Sequence, residues 1–144
     1  MTEVEFHTGV ADPLAYACRL LRKAYRAGVH VLVTAPPATL AALDRALWTF
    51  DEREFVPHVR QPGASAAIAA RTPIWLAPHA GLSGAPAVLV NVGADAPADL
   101  TGIERLIELV SSAADEAELG RGRWRDYKAR GLVIVHHRSA AIVD

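Results

Sequence analysis

Along residues 4–8, VEFHT, apolar and polar positions alternate with the period of a strand that has two unlike faces. The period then lengthens. Leu14, Ala17, Cys18, Leu21 and Tyr25 fall three or four residues apart, which puts them on one face of a helix. Asp12 stands at the N-cap of that helix, Pro13 at its first position and Gly28 at its stop. The β-branched run VHVLVT, 29–34, predicts a second strand. Residues 37–48 predict a second helix with Leu40, Leu43 and Leu47 as its apolar stripe.

The middle of the chain is less regular. QPGASAAIAART, 61–72, mixes turn formers with small residues and reads as a loop with at most a short helical turn. PIWLA (73–77) and AVLVNV (87–92) read as buried strands separated by the loop PHAGLSGAP. Ile103, Leu106, Ile107 and Val110 recur at helical spacing, so a helix is expected that ends near the alanine- and acid-rich SSAADEAELG. RGRWRDYKARG, 121–131, is expected to form another helix, and LVIVHH, 132–137, a closing strand. Strands alternating with helices, several of them apolar on both faces, predict an α/β fold: a Rossmann-like three-layer sandwich with a mostly parallel sheet. No repeat or long linker divides the chain, so residues 1–144 are expected to make one domain.

Composition narrows the function classes. A chain of 144 residues, 51% of them apolar, can bury a core of its own and is unlike a disordered segment. Cys18 is alone, which excludes a disulfide framework and points to a reducing, cytoplasmic compartment. The opening MTEVEFHTGV lacks a basic segment followed by an apolar run, so no signal peptide is expected, and no apolar stretch is long enough to cross a bilayer. The formal charge of -1 is unevenly spread: Arg121, Arg123, Arg125, Lys128 and Arg130 against Asp126 make a local +4, leaving -5 for the rest. A broad surface tracking DNA is therefore disfavoured.

A Rossmann-like pattern raises nucleotide binding, and the glycines speak against it. The first strand-to-helix turn, HTGVADP, has Gly9 alone and an acid, Asp12, where phosphate would sit. The P-loop pattern is absent, and GLSG at 81–84 opens no clear helix. Among His7, His30, His58, His79, His136 and His137 there is no i, i+4 pair, and His136 and His137 would point to opposite faces of one strand. Ser65 and Ser83 lack a nucleophile elbow, and nothing around Cys18 marks a nucleophile. No metal, cofactor or catalytic set is expected, although a nucleotide-using enzyme remains an alternative.

Two surfaces are left. Trp48 projects roughly 80 to 140 degrees away from the leucine stripe of its helix. Either the following TFDEREFVPH folds back over it, or Trp48 and Phe55 form an exposed apolar patch for a protein partner; Phe50 fits either group. On the wheel of the basic segment Arg121, Trp124, Arg125 and Lys128 share one arc, while Arg123, Tyr127 and Arg130 spread over the far side. Trp124 and Tyr127 could simply anchor the helix while the cations face water. The cations could instead hold the phosphates of single-stranded nucleic acid, or an acidic peptide or chain-terminal carboxylate beside an apolar slot. The -5 elsewhere favours a short acidic ligand.

LDRALWTFDEREFVPH (43–58), the strand pair PIWLA and AVLVN, and RGRWRDYKARG before a closing apolar strand together resemble the chi subunit family of bacterial DNA polymerase III. The resemblance covers nearly the whole chain in order. It implies a non-enzymatic, cytoplasmic accessory protein with a Rossmann-like fold, which touches DNA mainly indirectly. Its implied partners are the psi subunit, which links it to the clamp loader, and the acidic C-terminal tail of single-stranded DNA-binding protein. Carried onto this chain, the tail's carboxylate and aromatic would be gripped by Arg121, Trp124 and Arg125, with Val110 lining the apolar part of the slot and Lys128 beside it. Trp48 and Phe55 would face psi or an alternative helicase partner. Some relatives carry a lysine one turn before the first arginine, where this chain has Ala117, Glu118 and Leu119; Lys128 or Arg123 would have to substitute. Trp124 stands where a tyrosine is familiar.

Overall fold

The computed structural model describes residues 2–139. Among these, seven strands form one sheet in the order β3-β4-β2-β5-β6-β1-β7, and every neighbouring pair is parallel. The elements in chain order are β1 (Glu3–Val10), α1 (Pro13–Arg26), β2 (Val31–Thr34), α2 (Pro37–Thr49), β3 (His58–Arg60), α3 (Ala66–Arg71), β4 (Ile74–Ala77), β5 (Val88–Asn91), β6 (Arg105–Ser111), α4 (Ala114–Ala129) and β7 (Ile134–Arg138). Parallel neighbours need crossovers; α1, α2, α3 and α4 make four of them and cover both faces of the sheet, while β4 to β5 and β5 to β6 are joined by loops without a helix.

One face packs Ala17, Cys18 and Leu21 of α1 and Leu40, Leu43 and Leu47 of α2 against Val31, Val33, Leu76, Val90 and Ile107. The other packs Ala69 of α3 and Tyr127 of α4 against Val4, Phe6, Leu32, Leu89 and Leu106. The result is the expected three-layer α/β sandwich. Helix α1 follows its sequence signals: the Asp12 carboxylate accepts from the Ala15 N–H, and Gly28 past its end has φ +75°, a conformation that ends a helix at no steric cost. Cys18 is in the core, and burial pushes its thiol up to about 11.

Two expectations fail. Residues 103–110 are not helical, because Arg105–Ser111 is strand β6, lying between β5 and β1. A strand covered on both faces is apolar at successive positions, and Leu106, Ile107 and Val110 mimic helical spacing by coincidence. SSAADEAELG does not close a helix. It opens α4, whose first turn carries Asp115 and Glu116 near the positive end of the helix dipole, and the basic segment continues the same helix. The middle stretch holds a short helix within its loop, as expected: α3, six residues long, capped by the Ser65 hydroxyl accepting from the Ile68 N–H and preceded by the short edge strand β3.

Candidate functional site

The helix α4 lies along β6 and β1, and Gly120 is the residue that lets it do so. A Cβ there would come within 2.6 Å of Val110 Cγ1, so only a bare backbone fits against β6 at this point. Beside this contact opens a cleft of about 660 Å³. Its walls are Ala117, Gly120, Arg121, Trp124 and Arg125 of α4; its floor is Val110 with Phe6; its far side is Thr8, His136 and Arg138 from β1 and β7.

Trp124 is half-buried, with its ring edge-on to Phe6 (centroids 4.9 Å apart) and to His136 (5.2 Å). The His136 ring is held in turn by Thr8, whose hydroxyl is 2.6 Å from Nε2. These contacts fix an apolar wall and leave the guanidinium groups of Arg121 and Arg125 exposed at the rim. Both turn toward Glu118, Arg121 at 2.8 Å and Arg125 at 3.8 Å. The hydrogen bond from Arg121 holds the Glu118 carboxyl below its usual range.

Away from the rim arginines, on the side shared with Gly120 and Trp124, α4 looks into the sheet. Glu108, fully buried on β6, accepts from Arg123 Nε (2.9 Å), the Tyr127 hydroxyl (2.6 Å) and Asn91 Nδ2 (2.9 Å), and Thr34 donates on to Asn91 Oδ1. Burial pushes the Glu108 carboxyl up, and Arg123 with the other donors opposes that shift. Arg123 is therefore committed inward and cannot stand in for a missing surface lysine. Tyr127 is the anchor of the helix.

The structure thus gathers Arg121, Trp124, Arg125 and Val110 around one cleft. Lys128, grouped with them on the helical wheel, is exposed one turn further along and does not line it. Arg138, His136, Thr8 and Phe6 also line the cleft, and the basic segment alone does not point to them. The adjacent His136–His137 pair was the available signal: as expected, the two rings take opposite faces of β7, His136 toward Trp124 and His137 toward His7.

At the other end of the sheet the TFDEREFVPH loop does fold back, yet it does not cover Trp48. Phe55 stacks on the indole at 4.7 Å, His58 meets both rings, and Trp48 and Phe55 stay 63% and 44% exposed. His58 braces the pair from beneath, 2.9 Å from Asp44 Oδ1. Phe50 joins the core cluster beneath α1, under Arg22. The two aromatics form one patch supported by fixed neighbours.

Residues 1–135 match the family model of the DNA polymerase III chi subunit, HolC. The chain is 33% identical over 147 aligned positions to the DNA polymerase III subunit chi of Pseudomonas aeruginosa, an alignment that covers 96% of this chain and 97% of that protein.

Proposed function

The chain belongs to the DNA polymerase III chi subunit family, and on that premise we propose that it is a non-catalytic accessory subunit of the replicase. It docks the acidic C-terminal tail of single-stranded DNA-binding protein in the α4 cleft and turns Trp48 and Phe55 toward psi or a repair helicase. It thereby links the clamp loader to single-stranded DNA without reading the DNA itself.

One observation carries the tail reading: Arg121 and Arg125 stand at the rim of a cleft whose floor and wall are Val110, Phe6 and Trp124. A chain-terminal carboxylate suits guanidinium groups, which bind it in bidentate fashion, and an aromatic side chain next to it suits the apolar floor. Arg138 adds a cation on the far side. A long polyanion is less well served, because Arg123 is spent on Glu108 and Glu118 stands against both rim arginines.

Anisotropy titration with a labelled tail peptide, with and without its last residue, tests the reading. The complete tail binds more weakly as salt rises and loses most of its affinity on truncation. Equal affinity of the two peptides would sink the carboxylate-reading cleft. Binding of a single-stranded oligonucleotide by the chain alone, abolished by Arg121→Ala, would favour direct nucleic-acid contact instead. For the second surface, Trp48→Ala should abolish co-elution with psi while leaving tail affinity unchanged.

A further inference from the structure

The face of β7 turned away from the cleft holds a second arrangement, which the spacing of histidines along the chain does not reveal. Strands β1 and β7 pair in a register that sets His7 opposite His137. Glu5 lies two residues before His7 and so projects from the same face of β1. Three atoms converge there. His7 Nε2 is 3.2 Å from Glu5 Oε1, His137 Nε2 is 3.6 Å from the same oxygen, and one donor atom from each residue lies within 4.8 Å of the others.

A hydrogen bond accounts for the Glu5–His7 contact alone. It does not account for His137, whose nitrogen approaches an oxygen already engaged and stops beyond hydrogen-bond length. The two rings, 4.9 Å apart and tilted by 45°, are not stacked face to face either. Four-coordinate zinc, with bonds of about 2.0 to 2.1 Å, spaces its ligand atoms by about 3.3 Å. Both measured separations to Glu5 fall close to that spacing.

The surroundings orient two of the three groups. The Tyr16 hydroxyl is 2.5 Å from His7 Nδ1. A phenol can donate to that nitrogen or accept from its N–H, so His7 can offer its Nε2 lone pair without giving up the contact. Arg105 holds Glu5 by Oε2, at 2.6 and 2.9 Å, which leaves Oε1 free to face the histidines. Glu5 and His7 are mostly buried and His137 is 54% exposed, so the site opens to solvent on the His137 side.

We propose that Glu5, His7 and His137 form a binding site for a divalent transition-metal ion of the zinc class, with water completing the coordination. Two imidazoles and one carboxylate select zinc, cobalt or nickel over magnesium and calcium, which prefer all-oxygen sites. The ion ties the edge strand β7 to β1 by side chains as well as by the backbone ladder, and so raises the stability of the folded chain in proportion to its occupancy.

The full chain, tag-free and treated with chelator, is titrated with zinc chloride by calorimetry and with cobalt chloride by visible absorption. The expected result is one ion per chain at micromolar concentration, a higher melting temperature with zinc, and cobalt bands of the intensity that low coordination with nitrogen ligands produces. His137→Gln, at an exposed position, should weaken binding at least about tenfold, and Tyr16→Phe about tenfold through the lost partner of His7. The double variant His30→Gln, His79→Gln, at exposed positions elsewhere, should bind as the unaltered chain does. Absence of heat and of cobalt bands, or equal affinity in His137→Gln, would overturn the site.

Discussion

Arg121 and Arg123 stand two residues apart on α4, each paired with a glutamate, and the two pairs face opposite worlds. Arg123 and Glu108 meet at 2.9 Å with 9% and 0% of their side chains exposed, and Tyr127 and Asn91 satisfy the rest of the carboxylate. Arg121 and Glu118 meet at 2.8 Å with 61% and 63% exposed. The distances are nearly equal, and the environment decides what each pair does. In the buried pair neither partner can be lost without stranding a charge away from water. In the exposed pair water and salt replace a lost partner at little cost, so Arg121 is free to exchange Glu118 for a carboxylate brought by a ligand. One helix thereby carries an arginine that holds the fold and arginines that can hold a partner.

The sharpest way to break this contrast is at Arg123. Arg123→Ala leaves Glu108 buried with its charge unpaired and should cost about 3–5 kcal/mol in urea unfolding. A loss as small as that of a surface substitution would mean that the two faces do not differ. Gly120→Ala comes next and couples the two faces. The gain in helix propensity, about 1 kcal/mol at most, is outweighed by a Cβ 2.6 Å from Val110, for a net loss of about 1–3 kcal/mol with a displaced cleft floor and weaker tail binding.

On the outer face the effects move from stability to affinity. Arg121→Ala should leave the melting temperature within about 2 °C of the unaltered chain and weaken the tail peptide about tenfold, a loss that shrinks as salt rises. A drop in melting temperature comparable to that of Arg123→Ala would show the outer arginine to be structural. The smallest effect is expected at Glu118. Glu118→Gln releases Arg121 and Arg125 from their resident acid and should tighten tail binding about twofold to fourfold at low salt, with unchanged unfolding. Weaker binding in that variant would mean that Glu118 positions the arginines rather than competing for them.

Much of this was legible in the chain. Helix α1, with Asp12, Pro13 and Gly28, was complete in the sequence because its caps and its stripe are local signals. The basic segment and the off-stripe Trp48 were legible as unusual surfaces for the same reason: a helical wheel needs only the element itself. The inward turn of Arg123 was not. On the wheel it falls outside the arc of Arg121 and Arg125, but only the buried Glu108 on β6 makes that side the core side, and the apolar spacing of β6 itself imitates a helix.

The sequence by itself determined the α/β class, the position of its most regular helix, the concentration of positive charge near residue 125 and the family. These rest on periodicity, capping and composition, which act over a few residues or over the whole chain at once. The tertiary structure decided which arginine is buried, that Arg138 and His136 share a cleft with Trp124, that Phe55 stacks on Trp48, and that His7 meets His137. Each of these depends on the strand order and register of β1, β6 and β7 or on the return of a loop, and pairing between distant strands leaves no periodic trace in either segment.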